Sequence, residues 1–142
     1  MEQIQTANYE KYGFADAEEG GFTVYCSFLQ IYNEKLFDLL QDREHSKPLV
    51  IREDKHAGIF VEGQSEYCVN NAQDCYTLLK RGEQNRITRQ TRSNIHSSRS
   101  HTIFQLLIES NKPTSKGVLF RGKLNLCDLA GSEKIHKDEA MD

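Results

Sequence analysis

Tryptophan is absent from this chain of 142 residues, and proline, methionine and cysteine number only two, two and four. No apolar run reaches the roughly 18–20 residues a membrane span requires. The opening Met1-Glu2-Gln3-Ile4-Gln5 has neither the basic nor the apolar segment of a signal peptide. Both absences predict an intracellular protein with no membrane insertion. No C-x-x-C pair links Cys26, Cys68, Cys75 and Cys127, and each lies in an otherwise apolar stretch, so buried, reduced thiols are expected rather than disulfides or zinc ligands. Nor is there an excess of basic charge: 18 Lys and Arg against 21 Asp and Glu leave a net charge of −3, which argues against a general nucleic-acid binder. No repeat or low-complexity tract occurs. What remains is a chain of 37% apolar residues, enough for one core and suited to one domain or less.

The charge that is present is unevenly spread. Residues 1–20 carry five acids against one Lys, whereas Asn85 to His101 carry Arg86, Arg89, Arg92, Arg99 and two His without an acid. A local anion site is therefore plausible within a chain of negative net charge. The Arg-rich stretch has no aromatic interleaving between Arg86 and Arg99, which argues against RNA binding.

Residues 1–21 read as a helix end followed by an acidic loop, and 22–142 as one structured unit. Phe22 to Tyr32 is β-branched and aromatic on both alternating faces, which predicts a strand covered on both sides. Asn33 is expected to cap a short helix over Glu34–Leu40, with Leu36, Phe37 and Leu40 on one face. Leu49–Glu53 and Ile59–Glu62 predict a hairpin around Asp54-Lys-His-Ala-Gly58. Asn70 or Asn71 can cap a helix running to about Arg81, with Gly82 near its end and Ala72, Cys75, Leu78 and Leu79 as its apolar stripe. Ser100–Glu109 and Val118–Leu129 predict two long antiparallel strands joined by a loop that contains Pro113 and Gly117. The pattern favours an α/β layer structure with a mixed β-sheet flanked by helices.

Two segments carry chemistry. Lys123-Leu-Asn-Leu-Cys-Asp128 is an apolar strand ending in an acid, followed by Leu-Ala-Gly131. A carboxylate at that end of a strand can hold a magnesium ion through water beside a nucleotide. A glycine three residues on lets a bare backbone N–H approach a terminal phosphate. Asn94-Ile-His-Ser97-Ser98-Arg99-Ser100-His101 gathers hydroxyls, an amide, a guanidinium and two imidazoles. Hydroxyls suit phosphate oxygens and magnesium, and Arg can fork onto a carboxylate or phosphate. His96 and His101 have no third metal-ligand cluster nearby in sequence, so a transition-metal site is not expected.

Together, Asn94-x-x-Ser-Ser-Arg-Ser-His101 and Asp128-Leu-Ala-Gly-Ser-Glu133 resemble switch I and switch II of the kinesin motor domain, with 26 residues between them. Phe28-Leu-Gln-Ile-Tyr-Asn-Glu34 with Asp38-Leu-Leu40, and Gly82 with Asn85-Arg86, match the same family, so the resemblance covers roughly residues 22–137. It implies a partial P-loop NTPase-type motor fold, with ATP and Mg2+ as cofactors and microtubules (tubulin) as partner, located in the cytoplasm on the cytoskeleton. Carried over by position, Ser98 and Asp128 would hold Mg2+, while Ser97, Ser98 and Gly131 would take the terminal phosphate. Arg99 and Glu133 would form the catalytic latch between the switches, with Asn94, Ser100 and His101 shaping switch I. Lys55 and His56, at the hairpin tip, fall where the family places a peripheral microtubule contact.

The resemblance also implies a phosphate-cradling G-x-x-x-x-G-K-[ST] loop, and none precedes residue 22. Gly117-Val-Leu-Phe-Arg-Gly122-Lys123 satisfies G-x-x-x-x-G-K, but Leu124 replaces the magnesium-binding hydroxyl and the segment leads into a strand. The main microtubule-binding helix would follow residue 142. The expectation is the central piece of a motor domain that needs the remainder of that domain as partner and is inactive alone. A degenerate, non-catalytic microtubule- or protein-binding module is the alternative. A small GTPase is disfavoured because Asn-Lys-x-Asp is missing.

Overall fold

The computed structural model describes residues 21–41, 47–93 and 99–132. Apart from Gly21, the expected helix end and acidic loop over 1–21 lies outside them. The described strands are β1 (Phe22–Tyr32), β2 (Lys35–Asp38), β3 (Val50–Asp54), β4 (Gly58–Glu62), β5 (Tyr67–Val69), β6 (Ser100–Ser110) and β7 (Arg121–Asp128), with helix α1 (Ala72–Ser93) between β5 and β6. The larger sheet runs β2-β1-β6-β7, and β5 also pairs with β1. β3 and β4 form a separate two-stranded ribbon. All these ladders are antiparallel, so the described strands supply the antiparallel part of the expected mixed sheet.

β1 is the axis of the fold. Its whole length pairs with β6, from Phe22 opposite Ser110 to Tyr32 opposite Ser100. Along its other edge β5 covers Val24–Cys26 and β2 covers Leu29–Tyr32. Cys26, Ser27, Phe28, Leu29 and Gln30 are buried in succession, so the centre of β1 is covered on both faces, as its nearly continuous apolar sequence requires. Cys26 and Phe28 join Leu39, Leu40, Val69, Leu78 and Phe104 in the core, with Cys75, Leu79 and Leu106 packed around them. The Phe28 and Phe104 rings meet edge to face, 5.4 Å between centroids.

The expected helix over Glu34–Leu40 is a strand and its turn. Tyr32 pairs with Lys35, so Asn33 and Glu34 alone make the turn, at φ 48° and 60°. Positive φ at both central residues is the mirror-image turn whose twist matches a β-hairpin, and Asn is at home there. The Leu36, Phe37, Leu40 spacing suited a helix, but pairing with β1 overrides it. Asp38 then fixes the chain beyond β2: its carboxylate accepts the Leu40 N–H at 2.9 Å and the Ser65 N–H at 2.6 Å. Because Glu34 occupies a left-handed position that glycine fills at lower cost, Glu34→Gly is expected to stabilise the chain by roughly 0.5–1 kcal/mol. A urea titration would show a raised midpoint, and an unchanged or lowered one would contradict this turn.

α1 also departs from expectation, running to Ser93 instead of ending near Arg81. At its start Asn71 Oδ1 accepts the Asp74 N–H at 2.9 Å, and Asp74 accepts the Asn70 N–H at 3.0 Å, which identifies Asn71 as the cap. The apolar stripe ends with Leu79, but the inward face continues through Gly82, Asn85 and Arg89. Gly82 is buried, Asn85 Nδ2 donates to the Leu39 carbonyl at 2.7 Å, and the Arg89 guanidinium lies 3.9 Å from the Phe37 ring centroid. Burial lowers the pKa of Arg89. Thr77, Thr88 and Thr91 each donate to the carbonyl one turn back, which lets β-branched residues sit inside the helix.

β7 begins at Arg121 rather than Val118 and ends at Asp128. Val118–Phe120 stays outside the strand, with the Val118 carbonyl accepting the Thr114 N–H and Gly117 at φ 73°. Gly122 and Lys123 lie within β7, so the G-x-x-x-x-G-K spelling opens no helix. Of the four thiols, Cys26 is buried and Cys75 half-buried, whereas Cys68 and Cys127 are exposed, against expectation. Cys127 is exposed because β7 is the edge strand of the described sheet, open enough that its Leu124 and Leu126 are 49% and 54% exposed. All four are free thiols.

Candidate functional site

The site lies where the start of β6 meets the end of β7. Their register sets Thr102 opposite Asp128 and Ile103 opposite Cys127. Arg99 stands three residues before Thr102, and Gly131 three after Asp128, so two segments 26 residues apart in sequence emerge side by side from one sheet end. An antiparallel pair returns the chain to the same end, so Ser100–Thr102 and Asp128 share one end of the sheet.

One hydrogen bond joins the segments beyond the ladder. The Ala130 N–H donates to His101 Nδ1 at 2.8 Å. His101 therefore presents Nδ1 as an acceptor, which assigns its ring proton to Nε2. The His101 side chain is half-buried between the buried Ser100 and Thr102, which are 6% and 9% exposed. Anchoring Ala130 in this way fixes the backbone immediately before Gly131. Sequence reading placed His101 among the residues that shape this segment; its backbone partner carries no side-chain signature and could not be read there.

Asp128 and Gly131 are exposed. A Cβ added at Gly131 would meet nothing within 4 Å among the described residues. An exposed carboxylate is the hard oxygen donor that suits Mg2+ through water, and an open glycine backbone admits a phosphate. Asp128 thus has the donor type that Mg2+ takes, and it is accessible. Arg99 is exposed at the entrance to β6. Asn94, His96, Ser97, Ser98 and Glu133 lie outside the described residues, and so does the geometry of the expected Arg99–Glu133 latch.

Lys55 and His56 are exposed at the β3–β4 tip, apart from this site in the separate ribbon. The tip is tied by Asp54, whose Oδ1 accepts the His56 and Ala57 N–H groups at 2.7 and 2.8 Å. Those bonds, with Ala57 first, hold the Asp54 carboxyl below its ordinary value of 3.8. A depressed folded-state pKa contributes stability that is present above the unfolded value and lost as pH falls through the folded one. The His56 and Ala57 amides are therefore expected to keep their protection from exchange down to the carboxylate range and lose it below. Equal loss at neutral pH would contradict the tie.

Other residues that stood out in sequence prove to be packing residues. Phe28 fills the space above Gly82, Asp38 and Asn85 bind backbone, and Arg86 forks onto Glu83 one turn earlier at 2.8–3.1 Å. Among the described residues no group of three or more His, Cys, Asp or Glu could hold a metal ion, and no helix is long and apolar enough to cross a membrane.

Comparison with known proteins agrees with this geometry. A family model of the kinesin motor domain matches residues 2–142. Kinesin-related protein 5 of Dictyostelium discoideum is 47% identical over 119 residues, covering 84% of this chain and 12% of that protein. Kinesin-like protein KIN-5A of Arabidopsis thaliana is 41% identical over 130 residues, covering 85% and 12%. The mouse (Mus musculus) chromosome-associated kinesin KIF4 is 44% identical over 120 residues, covering 84% and 10%. The solved structure of a fast kinesin superposes with a TM-score of 0.79 at 37% identity, covering 98% of this chain and 37% of that one. The chain thus spans about a tenth of the length of these curated relatives.

Proposed function

Because this chain belongs to the kinesin motor domain family, we propose that it forms the switch-bearing part of a motor that couples ATP hydrolysis to movement along microtubules in the cytoplasm. The observation that carries this reading is the bond from Ala130 to His101, which ties the two switch segments together next to Gly131. A sensor for a terminal phosphate needs such a tie, so that a change at one segment reaches the other.

In this reading Asp128, through water, and Ser98 hold Mg2+, while Ser97, Ser98 and the Gly131 N–H take the terminal phosphate. Bound MgATP supplies the phosphoryl group and the charge that neutralises its transfer. Arg99 and Glu133 latch the switches and orient the attacking water, Asn94 and Ser100 hold the shape of switch I, and His101 keeps Ala130 and Gly131 in place. Lys55 and His56 make a peripheral contact with tubulin. The exposed Leu124 and Leu126, on one face of β7, support a further element from the remainder of the motor domain packing over that face.

Without that remainder the 142-residue chain is expected to bind no ATP at micromolar concentration, whereas the protein that carries this segment should show microtubule-stimulated ATP hydrolysis. Calorimetry on the isolated chain and a phosphate-release assay on the larger protein test both. Absence of hydrolysis by the larger protein, with nucleotide-independent sedimentation on microtubules, would instead support a non-catalytic binding module.

A further inference from the structure

Two thiols face each other across the helix–sheet interface, and no part of the nucleotide site uses them. Cys26 sits at the centre of β1, fully buried, and Cys75 lies in the first turn and a half of α1, half-buried, with their Sγ atoms 3.7 Å apart. A disulfide needs its sulfurs about 2.05 Å apart. Closing the gap takes less than 2 Å of sulfur movement. The other two thiols, Cys68 and Cys127, are exposed on β5 and β7. We propose that Cys26 and Cys75 are an oxidation site, which a hydroperoxide converts to a disulfide stapling the start of α1 to β1.

The two thiols have different parts in the reaction. Desolvation by burial, with Cys75 and Asp74 adding to it, pushes the Cys26 thiol up to about 12. A thiol so reluctant to ionise is a poor first nucleophile. Cys75, the more exposed, attacks the peroxide: its Sγ–O bond forms, the O–O bond breaks, and the departing hydroxide leaves as water with the Cys75 proton. Cys26 then attacks the Cys75 sulfenic acid. The S–S bond forms, the S–O bond breaks, and the Cys26 proton leaves with the hydroxyl as a second water. Two thiols are oxidised by two electrons and one hydrogen peroxide is reduced to two waters; an organic hydroperoxide would leave its alcohol in place of the first water.

The staple would close a loop spanning 49 positions between β1 and α1. Closure restricts the unfolded chain most when the loop is long, provided the folded geometry accepts the bond. The oxidised chain is therefore expected to melt at least about 5 °C higher than the reduced one.

The test treats the folded chain with hydrogen peroxide, quenches free thiols with an alkylating reagent and digests with trypsin without reduction. Cys68 and Cys75 share a tryptic peptide, so a Cys68→Ser variant is run beside the natural chain. The expected result is a linked peptide joining the Cys26 and Cys75 segments in both proteins, with Cys127 alkylated and a raised melting midpoint that dithiothreitol reverses. The same treatment in concentrated urea should lose the selectivity. Oxidation that ends at Cys75 sulfinic acid, linkage to Cys127 as readily as to Cys75, or a lowered midpoint on oxidation would each overturn the proposal.

Discussion

Replacing Gly82 with Ala is expected to destabilise the chain by roughly 1–3 kcal/mol, although alanine is the better helix former. In the interior of an exposed helix the exchange would gain about 1 kcal/mol. At this position the new Cβ would lie 2.1 Å from Phe28 Cδ1 and 2.6 Å from Cε1. Such distances require movement of the ring or the helix. The ring is held edge to face against Phe104 and is 3% exposed, so it has no free space to enter. Overpacking of this kind costs about 1–3 kcal/mol or more, and loss of the helix register over β1 adds to it. Total stabilities of small domains are near 5–15 kcal/mol, so the variant should show a clear fall in urea midpoint. Gly122→Ala is the internal control, because a Cβ there meets nothing within 4 Å and should leave the midpoint nearly unchanged. Phe28→Leu, destabilising alone, should cost less in the Gly82→Ala background. Additive losses from the two changes would mean that the close approach is not what Gly82 serves.

The same residue shows why the sequence was only partly legible. A glycine where an apolar stripe turns polar reads as a helix end, since glycine is the common residue just past a helix. Here it is an approach point for an aromatic ring on another element, and no local pattern encodes that ring. Beyond it the inward face is made by Asn85 and Arg89, whose fitness for burial depends on a backbone carbonyl at Leu39 and a ring at Phe37. The Asn33–Glu34 turn misled for a related reason, because Glu at positive φ is a weak turn signal and Leu36, Phe37 and Leu40 imitate a helix face. By contrast β1 and the β6–β7 pairing were legible, since nearly continuous apolar runs bounded by loop residues leave few alternatives. The β3–β4 hairpin was readable from Gly58, which closes its tip at positive φ.

For the site, side chains were legible and backbone was not. Asp128, Gly131 and Arg99 stood out because their types suit phosphate chemistry, and His101 stood out only through the resemblance to switch I; their roles at the site stand as proposed. That they share one end of the sheet follows from the loop after Ser110, whose Pro113 and Gly117 return the chain antiparallel. The Ala130 N–H could be found only in three dimensions.

Arg99→Ala is expected to lower ATP turnover by at least about a hundredfold in the motor protein that carries this segment, while nucleotide affinity changes by only a few fold. The proposed latch pairs Arg99 with Glu133, and a forked guanidinium–carboxylate pair that forms only when the switches close acts on the transition state rather than on ground-state binding. Removing a positioned charge of this kind typically costs about 10²–10³ in rate. Arg99→Lys should recover little, because an ammonium on a flexible stem cannot hold two oxygens in one plane. Glu133→Ala should match Arg99→Ala, and the double variant should be no slower than either single one, since each removes the same interaction. His101→Ala tests the neighbouring tie: loss of the Nδ1 acceptor frees the Ala130 N–H, so it should raise KM for ATP together with its effect on kcat. Single-turnover hydrolysis with nucleotide affinity measured in parallel separates these outcomes. Unchanged turnover in Arg99→Ala, or additive losses in the double variant, would refute the latch.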